Sequence, residues 1–162
     1  MPDPEDAGVI PLDTGPLVLV VDDEQTPRSI VSRMVRAMGY QVRSCRSGRD
    51  ALRFLAAHPR RVRLVLADLS MPRMDGGELA ERARDLDPTL RVVLMFDPGD
   101  VHAVDLLSGY RDFPYLMKPV TFGDLHGWLV QLLGAPPGGP SRPPSIGQRR
   151  QRSRRPSGQQ EE

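Results

Sequence analysis

Five short apolar runs, each followed by residues at helical spacing, constrain this chain more than any other feature. The first, Leu17-Val18-Leu19-Val20-Val21, is unbroken and valine-rich, as expected of a strand covered on both faces. Thr26-Pro27 reads as an N-cap followed by proline at the first helical position. Ile30, Val31, Met34, Val35 and Met38 then recur at helical spacing, and Gly39 closes the helix. Gln41–Cys45 is shorter and more polar, which predicts an edge strand. Ala51, Leu52, Leu55 and Ala56 give the next helical face, with Pro59 beyond its end. Further strands are predicted over 62–67, 92–96 and 113–117, and a helix over 78–86. Val101, Val104 and Leu107 line a fourth helix; Leu125, Trp128, Leu129, Leu132 and Leu133 line a last one, stopped at Gly134. Five strand–helix units with buried strands imply an α/β fold, a doubly wound parallel sheet with helices on both faces.

This alternation occupies residues 16–133 of a 162-residue chain, enough for one domain with a segment on either side. Residues 1–15 are acidic (Asp3, Glu5, Asp6, Asp13) and without a base. Residues 134–162 hold eleven Pro or Gly and six arginines against Glu161 and Glu162. Neither segment has the apolar surface to offset the entropy of ordering, so both are expected to be disordered. No run of about 18 apolar residues is present, and the N-terminus lacks the basic and apolar regions of a secretory signal, so no membrane association is expected. The single cysteine, Cys45, forms neither an internal disulfide nor a cysteine zinc cluster; a cytoplasmic protein is expected, with Cys45 as a small packing residue. His58, His102 and His126 are scattered and read as surface residues. The arginines between 149 and 155 lack interleaved aromatics for base stacking, so a solvated tail is expected rather than nucleic-acid binding.

In a doubly wound sheet, ligands sit at the carboxyl ends of the strands. The first strand ends in Asp22-Asp23-Glu24, the third in Asp68-Leu69-Ser70-Met71-Pro72, the fourth in Phe96-Asp97 and the fifth in Lys118-Pro119. Carboxylates about 4 Å apart repel by a few kcal/mol per pair at an effective dielectric near 20, so either one stays protonated or a cation joins them. Oxygen ligands without nearby His or Cys suit a hard ion, Mg²⁺ above all. Lys118 is the single lysine in a chain with 21 arginines, and a compact ammonium pairs with a small anion where a planar guanidinium does not fit.

LVLVVDDE (17–24), LVLADLSMPRMDG (64–76) and YLMKP (115–119) resemble the receiver domains of two-component response regulators. The resemblance implies a flavodoxin-like, CheY-like (βα)5 fold with strand order 2-1-3-4-5. It implies that Asp68 is the phosphoacceptor that becomes an aspartyl phosphate, and that Asp22 and Asp23 bind Mg²⁺ together with Asp68 and the backbone carbonyl of Ser70. Lys118 matches the lysine that pairs with the phosphoryl group, and Pro119 the proline after it, usually cis. Pro72 and Asp75-Gly76 match the turn into the third helix. The implied partners are a sensor histidine kinase or histidine phosphotransfer protein and an output protein.

The match departs from the family at the end of the fourth strand. Receivers there carry Ser or Thr followed by a small residue; this chain has Phe96, without a hydroxyl, and then Asp97, expected as a fourth carboxylate near the site. Tyr115 matches the aromatic that moves with that hydroxyl, so half of the switch is present. No second folded domain is predicted after residue 133, so the leading expectation is a stand-alone receiver in a phosphorelay, a phosphoprotein rather than an enzyme. The alternatives are a pseudo-receiver acting as a phosphorylation-independent interaction module, and nucleic-acid binding through the basic tail. A metal-dependent phosphatase with an aspartate nucleophile comes last, since its Asp-x-Asp-x-Thr/Val motif is absent.

Overall fold

The structure is a computed structural model that describes residues 15–136. The expectations for residues 1–14 and 137–162 lie outside the described residues. Within them, strands and helices alternate throughout: β1 (Leu17–Val21), α1 (Gln25–Ala37), β2 (Gln41–Cys45), α2 (Gly48–Ala57), β3 (Val62–Asp68), α3 (Gly76–Leu86), β4 (Arg91–Phe96), α4 (Val101–Gly109), β5 (Tyr115–Met117) and α5 (Phe122–Leu133).

All four strand pairings are parallel, and the order is β2-β1-β3-β4-β5, the flavodoxin-like order that the resemblance implied. β1 lies inside the sheet, between β2 and β3, and every residue in it is buried, whereas β2 is half-buried throughout, as expected of an edge. The strand period of two divides the core into two layers. Leu17, Leu19 and Val21 face a layer with Ala51, Leu55, Leu79, Ala83 and Ala103 of α2, α3 and α4. Val18 and Val20 face Val31, Val35, Leu125 and Leu129 of α1 and α5. Covering both faces while leaving the strand ends open aligns Val21, Ala67 and Leu94 across the sheet, so the residues that follow them emerge at one edge.

The helix boundaries differ from the sequence expectation in three places. Glu24, not Thr26, is the N-cap of α1, which puts Pro27 third in the first turn; that turn has no intrahelical use for its N–H groups and tolerates proline. α3 begins at Gly76, because Asp75 Oδ1 accepts from Glu78 N–H at 2.8 Å and caps a start that two weak helix formers, Gly76 and Gly77, conceal. In α4 the buried residue is Ala103; Val101 is 83% exposed and Val104 half exposed, whereas Leu107 packs against the core as expected.

Helix α1 ends as expected at Gly39, with φ +91°. Gly39 N–H donates to Arg36 O at 3.0 Å and Tyr40 N–H to Val35 O at 3.3 Å, the paired bonds of a Schellman turn. Tyr40 then donates its hydroxyl to Gly134 O at 2.6 Å, and Pro136 is buried over Gly39. The chain thus stays on the domain for three residues beyond Leu133.

Candidate functional site

The two acids after β1 have different surroundings. Asp22 is fully buried: its N–H donates to Cys45 O at 3.2 Å, and its Oδ1 accepts from Glu24 N–H at 2.9 Å. Arg28, in the first turn of α1, donates from Nη1 to Asp22 O at 2.9 Å and pins the loop from the helix side. Asp23 is exposed and forms the open side of the site.

Asp68 closes β3 opposite Met95 of β4, and Leu69 N–H donates to Met95 O at 2.8 Å, so the chain turns only after the carboxylate has been delivered to the edge. Lys118 is placed by its own backbone, whose N–H donates to Phe96 O at 2.8 Å, and the Lys118–Pro119 bond is cis as the resemblance implied. Lys118 Nζ lies 2.9 Å from Asp68 Oδ1 and 3.2 Å from Asp22 Oδ2. One ammonium therefore bridges the two buried carboxylates.

Asp22, Asp23 and Asp68 each offer an oxygen within 4.8 Å of the other two. Burial, with a smaller contribution from the Asp22 and Asp23 charges, pushes the Asp68 carboxyl up to about 6 against the opposing hydrogen bond from Lys118. Burial alone would lower the Lys118 pKa, but its bonds to Asp68 and Asp22 outweigh that and raise it, so the amine stays an ammonium. One cation does not offset three carboxylates at this spacing, and the remaining negative field favours a second cation. With oxygen donors alone and one exposed side, the donor set fits a hard, partly hydrated divalent ion. Ser70, half-buried, stands two residues beyond Asp68.

Phe96 occupies the end of β4 as a buried ring. Asp97 does not join the acidic cluster as expected: it is exposed, and its Oδ1 accepts from Gly99 N–H at 2.8 Å, closing a local turn. A short side chain two residues before a free backbone N–H satisfies its carboxylate locally at no cost in burial. His58 and His102 are exposed as expected; His126 is half-buried and stacks on Phe122.

Three residues escaped the reading of the sequence. Arg28 carried a signal, a base in the first turn of a helix whose preceding loop is acidic. Asp100, the N-cap of α4, accepts from His102 N–H at 3.0 Å and Ala103 N–H at 3.3 Å with its Oδ1. Tyr110, after α4, has its ring against Gly77. Neither of the last two contacts has a periodicity that a linear reading detects.

The family model described as "Response regulator receiver domain" matches residues 18–129. The chain is 34% identical over 121 residues to the two-component response regulator ARR11 of Arabidopsis thaliana, covering 75% of this chain and 23% of that protein. It is 36% identical over 118 residues to the transcriptional regulatory protein ZraR of Escherichia coli O157:H7, covering 72% of this chain and 26% of that one. The chain thus spans about a quarter of the length of these curated relatives. Among solved structures, a response regulator receiver domain protein from Clostridium thermocellum superposes with a TM-score of 0.64 at 26% identity, covering 72% of this chain and 93% of that one.

Proposed function

The chain belongs to the response regulator receiver domain family of two-component signalling, and from that premise we propose that it accepts a phosphoryl group on Asp68 and works as a stand-alone relay. The donor is a histidine kinase or a histidine phosphotransfer protein, and the output passes through protein–protein contacts. The observation that carries this reading is the Lys118 ammonium at 2.9 Å from Asp68 Oδ1, with Asp22 and Asp23 beside it.

The chemistry follows from those groups. An Asp68 carboxylate oxygen attacks the phosphorus of a phosphohistidine; the P–O bond forms, the P–N bond breaks, and the electron pair returns to the imidazole nitrogen, which takes up a proton. The reaction needs Asp68 ionised, and a carboxyl titrating near 6 is largely so at neutral pH. Lys118 stands where the transferred oxygens arrive and supplies positive charge to them. Asp22 is held by Glu24 N–H and by Arg28, so its charge is already oriented before the donor docks. Asp22, Asp23, Asp68 and the Ser70 carbonyl are the residues that would hold Mg²⁺, which when bound offsets the negative charge shared by the carboxylates and the phosphoryl oxygens. The chain is read as a stoichiometric acceptor, not an enzyme, acting in the cytoplasm; among the described residues no helix is long and apolar enough to cross a membrane.

One observation favours a second reading. Phe96 fills the position of the family's hydroxyl, which suits a pseudo-receiver that binds partners whatever the state of Asp68. Transfer from a labelled phosphohistidine protein separates the two: the proposal requires label on the wild type and none on Asp68→Asn, and an unlabelled wild type contradicts it.

A further inference from the structure

The edge of the sheet opposite Asp68, where the strands begin, carries a second group of charges. Leu17 of β1 pairs with Val62 and Val18 with Leu64, so Arg63 is an extra residue in β3, exposed beside the point where the chain enters the sheet. A bulge of this kind re-aims its side chain out of the regular ladder. Next along the same edge, Arg91 opens β4 opposite Leu64 and is exposed too. Neither arginine has an acid within 4 Å among the described residues. Asp87, the C-cap of α3, has its Oδ1 engaged by Thr89 N–H at 2.9 Å and Thr89 Oγ1 at 2.6 Å. Arg91 also lines a cleft of about 320 Å³ whose walls include Arg84, Leu90, Pro114 and Leu132. The Arg84 guanidinium is held over the Phe113 ring, 4.1 Å from its centroid. Arginines beside apolar walls suit a segment that is acidic and apolar at once.

The chain supplies such a segment. Residues 3–13 hold Asp3, Glu5, Asp6 and Asp13 without a base, and Val9-Ile10-Pro11-Leu12 among them. They lead into β1 through Gly15, whose φ of +87° suits a change of direction, and so reach the domain at this same edge. With strands about 4.8 Å apart, β4 lies roughly 10 Å from β1 across β3, a distance that three or four extended residues span. We propose that residues 9–13 fold back along the starts of the strands, with Asp13 against Arg63 and Arg91 and Val9–Leu12 in the cleft. The domain thereby carries its own occupant on the side away from the phosphoacceptor. A segment too poor in apolar surface to fold alone gains that surface from the cleft. Tethering sets its effective concentration on the order of mM, so modest contacts suffice. The docking does not depend on the state of Asp68.

The test uses the full chain with labelled methyl groups. Its three isoleucines are Ile10, Ile30 and Ile146, so the Ile10 methyl is read singly. At low salt this methyl should give nuclear Overhauser contacts to the methyls of Leu90 or Leu132. The contacts should weaken at least threefold in Arg63→Glu/Arg91→Glu, and again in wild type at about 1 M salt, where the screening length falls to roughly 3 Å. A full chain in which Ile10 gives no contact to the cleft overturns the proposal, as does a contact that survives the double reversal undiminished. Contacts found only between differently labelled copies would make the occupant a second molecule, and contacts from Ile146 instead would make it the C-terminal segment; either result overturns the docking of residues 9–13. If the double reversal does not fold, Asp13→Lys, which lies before the domain, decides alone: an undiminished Ile10 contact refutes the charge pairing.

Discussion

Phe96 meets Tyr115 edge to face, with ring centroids 5.4 Å apart and planes at 76°. The inner ring is 6% exposed and the outer one 51%, so the buried aromatic holds the other at the surface. Such a pair contributes about 0.5–1.5 kcal/mol beyond the area it buries. A receiver that relies on a strand-4 hydroxyl draws that loop inward through a hydrogen bond; here the space is filled by a ring that has no such bond to make. Phe96→Thr should therefore cost stability, about 2–4 kcal/mol for emptying a packed ring site, and yet enlarge the response of residues 97–118 to phosphorylation. Urea unfolding gives the first quantity and amide shifts the second. A smaller response in the folded variant would mean that Phe96 does not limit the switch. Because Asp97 is turned to Gly99, Asp97→Ala should leave the response unchanged.

The exposed acid tests the cation site. Asp23 is at the surface and, unlike Asp22, has no buried hydrogen bonds to lose, so Asp23→Ala should fold like the wild type. Mg²⁺ should shift amides around 22–24 and 68–70 in the wild type with weak affinity, since the ion keeps several waters, and Asp23→Ala should weaken the binding about tenfold. Equal titration curves for the two proteins would place the ion elsewhere.

Asp68 links the site to stability. Its folded-state pKa of about 6 lies above the value of 3.8 for a free carboxyl, so the folded protein holds this proton more tightly than the unfolded chain does. The resulting contribution to stability is present in full below pH 3.8 and is lost as the pH rises through 6; at pH 7.5 the ionised, buried carboxylate costs about 3 kcal/mol. Without metal, Asp68→Asn should be more stable than the wild type at pH 7.5, and the gap should close toward pH 4. Thermal melts in chelator across that range check it. A gap that stays constant with pH would show that Asp68 does not titrate in that window.

Tyr40 and Gly39 hold the chain after α5 against the domain, through Gly134 and Pro136. A chain ending at Pro136 keeps the bond from Tyr40 to Gly134 O and the cover over Gly39, whereas one ending at Leu133 loses both. The shorter chain should melt at least about 4 °C lower, the equivalent of roughly 1 kcal/mol, and Tyr40→Phe should reproduce part of the drop. Identical melting of both chains would show that these contacts contribute nothing.

The sheet was legible because parallel strands buried on both faces, such as Leu17–Val21, read as continuous apolar runs, and the acids and the lysine stand at fixed offsets from their ends. The helix starts were less so: Thr26-Pro27 imitates a cap inside the first turn of α1, and Gly76-Gly77 hides the real start of α3. Gly77 is glycine because Tyr110 lies on it, a reason found 33 residues away and in another element. Of the apolar residues read for α4, Leu107 packs on the core, whereas Val101 and Val104 are exposed and Ala103 takes the buried place. Asp97 reads in the sequence as a fourth carboxylate near the site, but its local turn satisfies it away from the cluster. Local pattern located the elements and the ends of the strands, whereas contacts such as that of Tyr110 on Gly77 exist only in the assembled fold.

The most direct measurement of the central claim is the intact mass of the protein after incubation with acetyl phosphate. With Mg²⁺, the wild type should gain one phosphoryl group; with a chelator it should gain none, because the carboxylates beside Asp68 repel the incoming charge. Asp68→Asn should gain none in either condition. Label on Asp68→Asn, or a wild type that stays unmodified with Mg²⁺ present, would contradict the assignment of Asp68 as the phosphoacceptor.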